Sequence, residues 1–226
     1  MQGNRVKITD EVPVFPLPNL VFFPKTLLPL HIFEARYRRM VENAHLHDSL
    51  IGMFLLREGW EKNYFGSPAV HEVGCVGKIQ FSEKLDDGKY NILLYGISRA
   101  RIVRFVQDRP YRIAKVRYLR EEKFSPEQFK EHVEAARFLR LVHTYIREIG
   151  VENGEEILKL QTDSLEAMMN QVASILDFAT DEKQELLEVA ELQTRYLLLR
   201  QLLRNKLMAL KVAKNVKFVP DDPSWN

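Results

Sequence analysis

Val12–Ala44 reads VPVFPLPNLVFFPKTLLPLHIFEARYRRMVENA, and its grammar changes once, near His31. Before that point Pro13, Pro16, Pro18, Pro24 and Pro29 interrupt apolar runs of strand length. Proline has no amide hydrogen to give a sheet ladder, so these runs are expected to be short, edge-lying or bulged strands. After Ile32 the apolar residues Phe33, Tyr37, Met40, Val41 and Ala44 recur at the spacing of one helical face. The stretch predicts two strands followed by one amphipathic helix.

Downstream, Leu50–Leu56 (LIGMFLL) is a continuous apolar run of strand length and predicts a buried strand. Residues 57–68 (REGWEKNYFGSP) read as a loop. Val73–Ser82 is β-branched and interrupted by glycine, as a strand is where a barrel bends to close. Asp86, Asp87 and Gly88 mark a hairpin turn, and from Tyr90 to Tyr118 the apolar period is two, which predicts two or three antiparallel strands. About six short strands with one early helix point to a small, partly closed barrel.

At Ser125 the period becomes helical. Ser125, Pro126 and Gln128 form a helix start, Phe129 to Ile149 mark one apolar face, and Gly150 is a terminator. A second helix is expected from Leu165 through Ala179 with Asp163 and Glu166 as a capping box. A third is expected from Asp181 to about Ala190 capped by Thr180, and a fourth from Arg195 to about Leu210. The fold class is α+β, with residues 1–122 forming the β subdomain, 123–211 a helical bundle and 212–226 a polar tail.

The composition, 46% hydrophobic and 28% charged over 226 residues, is that of a globular chain able to bury a core. No apolar run approaches the ~20 residues of a membrane span, and MQGNRVKITDE lacks the apolar centre of a signal peptide, so a soluble, unexported, cytoplasmic protein without a membrane role is expected. Cys75 is the only cysteine, which excludes an internal disulfide. Charge is uneven. Residues 1–73 balance to zero, residues 74–120 carry 11 basic against 4 acidic side chains, and residues 121–226 carry 14 against 19. Any polyanion contact belongs in the middle third.

No catalytic or metal constellation emerges. His132 and His143 lie eleven positions apart on one expected helix, about 16 Å along its axis, too far to share a metal. His45, His47 and Asp48 sit at a helix-to-strand junction and read as solvated turn residues. Cys75 in a β-branched strand reads as a buried structural thiol, because a nucleophile needs a neighbouring histidine and a lowered pKa. The expectation is a protein that is not an enzyme, with no metal and no cofactor.

Two binding chemistries remain. In the basic middle, Arg99 and Arg101 share one strand face and Lys115 and Arg117 share another; if those faces coincide, a basic stripe faces nucleic acid or an acidic partner, and otherwise the charges are solvated or paired internally. For polypeptide recognition the candidates are the loop aromatics Trp60, Tyr64 and Phe65, and a groove between barrel and bundle lined by Phe22 and Phe23. The competing account has those aromatics packing back onto the barrel, with at least one of the phenylalanine pair in the core.

The residues Pro16-Leu17, Val21, Phe23-Pro24, Leu28-Pro29-Leu30, Ile32-Phe33-Glu34 and Arg36-Tyr37 resemble the opening signature of the Lon protease N-terminal, substrate-recognition domain. Val73-Gly74, Asp87-Gly88 with Tyr90-Asn91, Gly96 with Arg99 to Ile102, Asp181 to Leu187 and Arg195 continue the likeness over about residues 11–210. The resemblance implies a PUA-like β pseudo-barrel followed by a helical bundle, and recognition of unfolded or exposed apolar protein segments without ATP. Such a module serves as an adaptor or quality-control factor, with a protease or chaperone as further partner. The chain carries no GxxxxGK[ST] phosphate loop, and a standalone recognition domain lacking the ATPase and protease is expected. RNA binding through the sheet face of residues 97–120 is the alternative.

Overall fold

The computed structural model describes residues 10–63, 66–121, 131–150 and 164–216. The elements run β1 (Glu11–Leu17), β2 (Leu27–Ile32), α1 (Ala35–His45), β3 (Leu50–Leu55), β4 (Val73–Lys84), β5 (Tyr90–Gln107) and β6 (Arg112–Tyr118). They continue as α2 (Glu131–Ile149), α3 (Leu165–Ile175), α4 (Thr180–Glu188) and α5 (Leu192–Val216), with one 3-10 turn at Trp60–Asn63. Pairing runs β5–β4–β3–β1–β6 and returns to β5, closing a ring to which β2 adds along the first half of β5. The β1–β3 contact is parallel and the others antiparallel.

The prolines explain how the ring is entered. Edge placement holds for β2, which among the described residues pairs only with β5, but β1 is internal. Its ladder is divided: Glu11–Val14 pair with β6 and Val14–Leu17 with β3, so each half keeps one free flank. Pro13 and Pro16 fall one in each half, where a missing amide hydrogen is tolerated.

Between β1 and β2 the chain crosses the sheet at Gly77 and Gly96, which face each other across β4 and β5. A Cβ on Gly96 would lie 2.2 Å from the Phe23 carbonyl oxygen, and one on Gly77 would lie 2.7 Å from the Phe22 ring. The absent side chains let the crossing segment settle onto the ladder. Lys25 N–H donates to the Gly96 carbonyl at 2.8 Å, and Gly96 N–H donates to that of Thr26 at 2.9 Å. The long β4 bends as its glycines predict, with register shifts at Val76/Gly77 and Ile79/Phe81.

Three apolar clusters follow. Val12, Val14, Phe54, Val76, Ala100, Ala114 and Val116 fill the ring interior. Outside the ring, α1 buries Tyr37, Met40, Val41 and Ala44 against Phe15, Met53, Cys75, Ile92 and Leu94. Phe33 was expected on that helical face, but Glu34 precedes the first helical residue, so Phe33 lies outside the helix and is 61% exposed. The third cluster joins α2 to α5 and takes Val21, Phe23, Leu55 and Val73 from the sheet side. Phe22 and Phe23 thus point into different cores and are both buried.

Helix ends depart from expectation in detail. The Ser164 hydroxyl accepts from Ala167 N–H and starts α3. Glu182 accepts from Ala179 N–H at the start of α4, so Thr180 is the first helical residue and not its cap. α5 begins earlier than Arg195 and continues through Val212–Val216, which were expected in the polar tail. The start at Ser125 lies outside the described residues.

Replacing Gly96 by alanine should push Phe23 off the ladder and lower stability by about 1–3 kcal/mol, read as a shift of the urea unfolding midpoint at unchanged slope.

Candidate functional site

Of the cations expected to form a basic stripe, Arg99 has a different position from the rest. Its side chain is fully buried. Nε donates to Glu121 Oε1 at 2.6 Å, while Nη1 donates to the carbonyls of Leu187 and Val189, both at 2.9 Å, at the end of α4 and just past it. Arg195 of α5 donates to the other oxygen of Glu121 at 2.9 Å and to Val189 at 2.7 Å. Burial and the adjacent Arg99 guanidinium pull the Arg195 pKa down, and Glu121 opposes them. This pair of guanidiniums on one carboxylate fastens the helices to β5, so Arg99 offers no surface to a ligand. Asn170 donating to the Pro24 carbonyl at 3.1 Å, and Gln184 to that of Val73 at 3.0 Å, extend the same seam.

Arg101, Lys115 and Arg117 remain on the surface. Arg101 faces Arg117 directly across β5 and β6, and Arg101 also pairs with Glu72 at 2.7 Å. Lys115 pairs with Asp10 at 3.2 Å.

Where a groove was expected, an open cleft of about 640 Å³ lies between the sheet and α4, lined by Arg57, Glu58, His71, Glu72, Arg101, Asp181 and Glu188. It is charged, not apolar, and Phe22 does not line it because that ring is seated in the core beside α1. Trp60 packs against the ring-interior cluster. Tyr64 and Phe65 lie outside the described residues.

A surface not anticipated from the sequence lies on the arm formed by β2, the first half of β5 and the second half of β4. Cross-strand partners share a face. On the side turned away from α1 the partners make three rows, Leu27–Tyr95–Lys78, Pro29–Leu93–Phe81 and His31–Asn91–Glu83. Leu27 is 56%, Phe81 57% and Tyr95 39% exposed, a contiguous apolar patch of the kind that marks contact sites. The register shift between Ile79 and Phe81 turns the phenylalanine out to join it. The third row is polar, with His31 and Asn91 hydrogen-bonded at 2.8 Å, and Phe33 stacks beyond it on the His31 ring at 6.4 Å between centroids. Pro29 interrupts the free flank of β2, so the side-chain face and not the strand edge is the offered surface.

Burial raises the Cys75 pKa, which keeps the thiol protonated. Among the described residues no group of three His, Cys, Asp or Glu side chains is placed to hold a metal ion, and no helix is long and apolar enough to cross a membrane.

Residues 11–205 match the family model of the ATP-dependent protease La (LON) substrate-binding domain. Lon protease 2 of Myxococcus xanthus is 28% identical over 94% of the chain, and a Lon protease of Desulfosudis oleivorans is 23% identical over 95%. The chain spans about a quarter of the length of these relatives, 26% in each case. A Lon N-terminal domain protein from Xanthomonas campestris superposes with a TM-score of 0.58 at 22% identity, covering 86% of this chain and 97% of that one. The N-terminal domain of Mycobacterium avium complex Lon protease gives 0.66 at 15% identity, covering 88% and 98%.

Glu121→Gln should strand two neighbouring buried cations and cost about 3 kcal/mol, a figure held below the upper range for broken buried pairs because Glu121 keeps some solvent contact. Arg101→Ala should change stability by less than about 0.5 kcal/mol, since its pair with Glu72 is solvated. Chemical denaturation of the two variants checks the contrast.

Proposed function

The chain belongs to the ATP-dependent protease La (LON) substrate-binding domain family, and from that premise we propose that it is a polypeptide-recognition module that holds exposed apolar segments of other proteins. The observation that carries the reading is the solvent-facing patch of Leu27, Pro29, Leu93, Tyr95 and Phe81 on a three-stranded arm. Unfolded chains present apolar side chains in extended runs, and folded ones bury them. A flat apolar face ringed by Lys78, His31 and Glu83 therefore favours the unfolded form, by removal of apolar area from water without base-specific or phosphate contacts.

Binding on this account needs no nucleotide. Gly74 to Lys78, the nearest approach to a phosphate loop, is extended strand within β4, with its amides committed to a ladder. Its cellular role is that of an adaptor or quality-control factor in the cytoplasm, presenting captured chains to a protease or chaperone. Substrate capture is the extent of the proposal; ATP-driven unfolding and peptide-bond cleavage are not part of it.

The purified chain should bind a reduced, unfolded model protein at least tenfold more tightly than its folded form, in the absence of ATP. The double variant Leu27→Ser with Phe81→Ser should lose about tenfold in that affinity, since two exposed anchors of this kind contribute on the order of 1–2 kcal/mol. Its melting temperature should stay near that of the parent. Fluorescence anisotropy with both forms of the labelled protein measures this, and equal affinity for the two forms would sink the reading.

A further inference from the structure

We propose that the ring exterior on β5 and β6 carries a second, separate site, a four-cation stripe that takes extended acidic polypeptide segments. Arg101 lies across from Arg117, and Arg104 across from Lys115. Residues 101 and 104 are three apart, so in a regular strand their side chains would leave opposite faces. The register shift between Ile102 and Arg104 changes that. Lys115 and Arg117, two apart on β6, share one face, so their partners Arg101 and Arg104 share it too. A bulge spends one ladder position to re-aim a side chain, and here it brings Arg104 beside three other cations. The bulged Val103 is 60% exposed next to them.

The arrangement works against the fold. Like charges directly opposite on adjacent strands repel, and this face holds two such pairs in succession. Compensation comes from the flanks. Glu72 reaches Arg101 from one side, Asp10 reaches Lys115 from the other, and Glu11 of β1 is the cross-strand neighbour of Lys115. Arg104 and Arg117, the diagonal of the square, have no ion-pair partner among the described residues. The flanking pairs are solvent-exposed and of small individual worth, so an incoming carboxylate displaces them at little cost.

The spacing selects the ligand. Side chains two apart on a strand are separated by about 7 Å, and those directly across by about 5 Å. An extended polypeptide with carboxylates at alternate positions repeats at that same ~7 Å, and an apolar residue between them meets Val103. Single-stranded nucleic acid needs aromatic platforms for its bases. The aromatics of these two strands nearest the stripe, Phe105 and Tyr118, pack against the ring-interior cluster on the opposite side of the sheet. The inference rests on the polypeptide-recognition reading and adds a charge preference to it, at a surface distinct from the apolar arm.

The test uses the full chain and three labelled probes: a peptide alternating glutamate and valine, a neutral apolar peptide and oligouridylate. In Arg104→Glu with Arg117→Glu, affinity for the acidic peptide should fall at least tenfold, and in Arg104→Lys with Arg117→Lys it should be retained. The apolar peptide should bind both variants as it binds the parent. An acidic peptide that fails to bind the parent, or binds the charge-reversed variant unchanged, overturns the proposal. Oligouridylate binding as tightly as the acidic peptide and lost in the same variant overturns it in favour of a nucleic-acid surface. Failure of the apolar peptide alone bears on the apolar arm and leaves the acidic-peptide result as support for this site.

Discussion

Two guanidiniums on one carboxylate hold the two halves of this protein in register. Arg99 arises from β5, Arg195 from α5, and Glu121 lies just beyond β6, so a single ionic cluster ties the sheet, the chain leaving it and the last helix. Buried charge is costly unless every donor is used. Here Arg99 also donates to the carbonyls of Leu187, Val189 and Ala190, at and just beyond the end of α4. The cluster therefore also settles where α4 stops and how α5 starts. It fixes one relative placement of sheet and helices where apolar packing of Val73 and Leu55 alone would tolerate sliding.

The segment from Val21 to Thr26 makes the complementary tie from the other end of the chain. Glycines at 77 and 96 give it a seat on the β4–β5 ladder, Phe22 and Phe23 enter the two cores on either side, and Asn170 and Glu166 of α3 hold its proline and lysine. With both ties in place, the helices cover the exterior of β5 near Arg99, and the apolar arm and the cationic stripe lie beyond that cover at opposite ends of the strand.

Local pattern carried much of this into the sequence. The proline of β2, the helical face of Tyr37 to Ala44 and the hairpin at Gly88 are local properties, and the structure places them as the pattern implies, whereas β1 is internal despite its prolines. Arg99 was not legible as a latch. It alternates along a strand like Arg101, and only its partners, 22 residues away at Glu121 and about 90 away near Val189, distinguish the two. The apolar arm was hidden for a related reason. Leu27, Phe81 and Tyr95 lie on three different strands, and only the pairing of β2 with β5 and of β5 with β4 brings them to one face, the one α1 does not cover. One signal was present. β2 is apolar at both alternating sets, Leu28 and Leu30 as well as Leu27 and Pro29, in a strand whose proline marks it as an edge.

A protein that captures unfolded chains on the arm must show that contact at the arm. Methyl-resolved NMR of the chain titrated with a permanently unfolded polypeptide measures it residue by residue. The methyls of Leu27 and Leu93 should shift progressively while those of the buried Val172 and Leu199 stay still. Shifts confined to the exposed Leu197, Met208 and Val212 of α5, with Leu27 and Leu93 silent, would contradict the account.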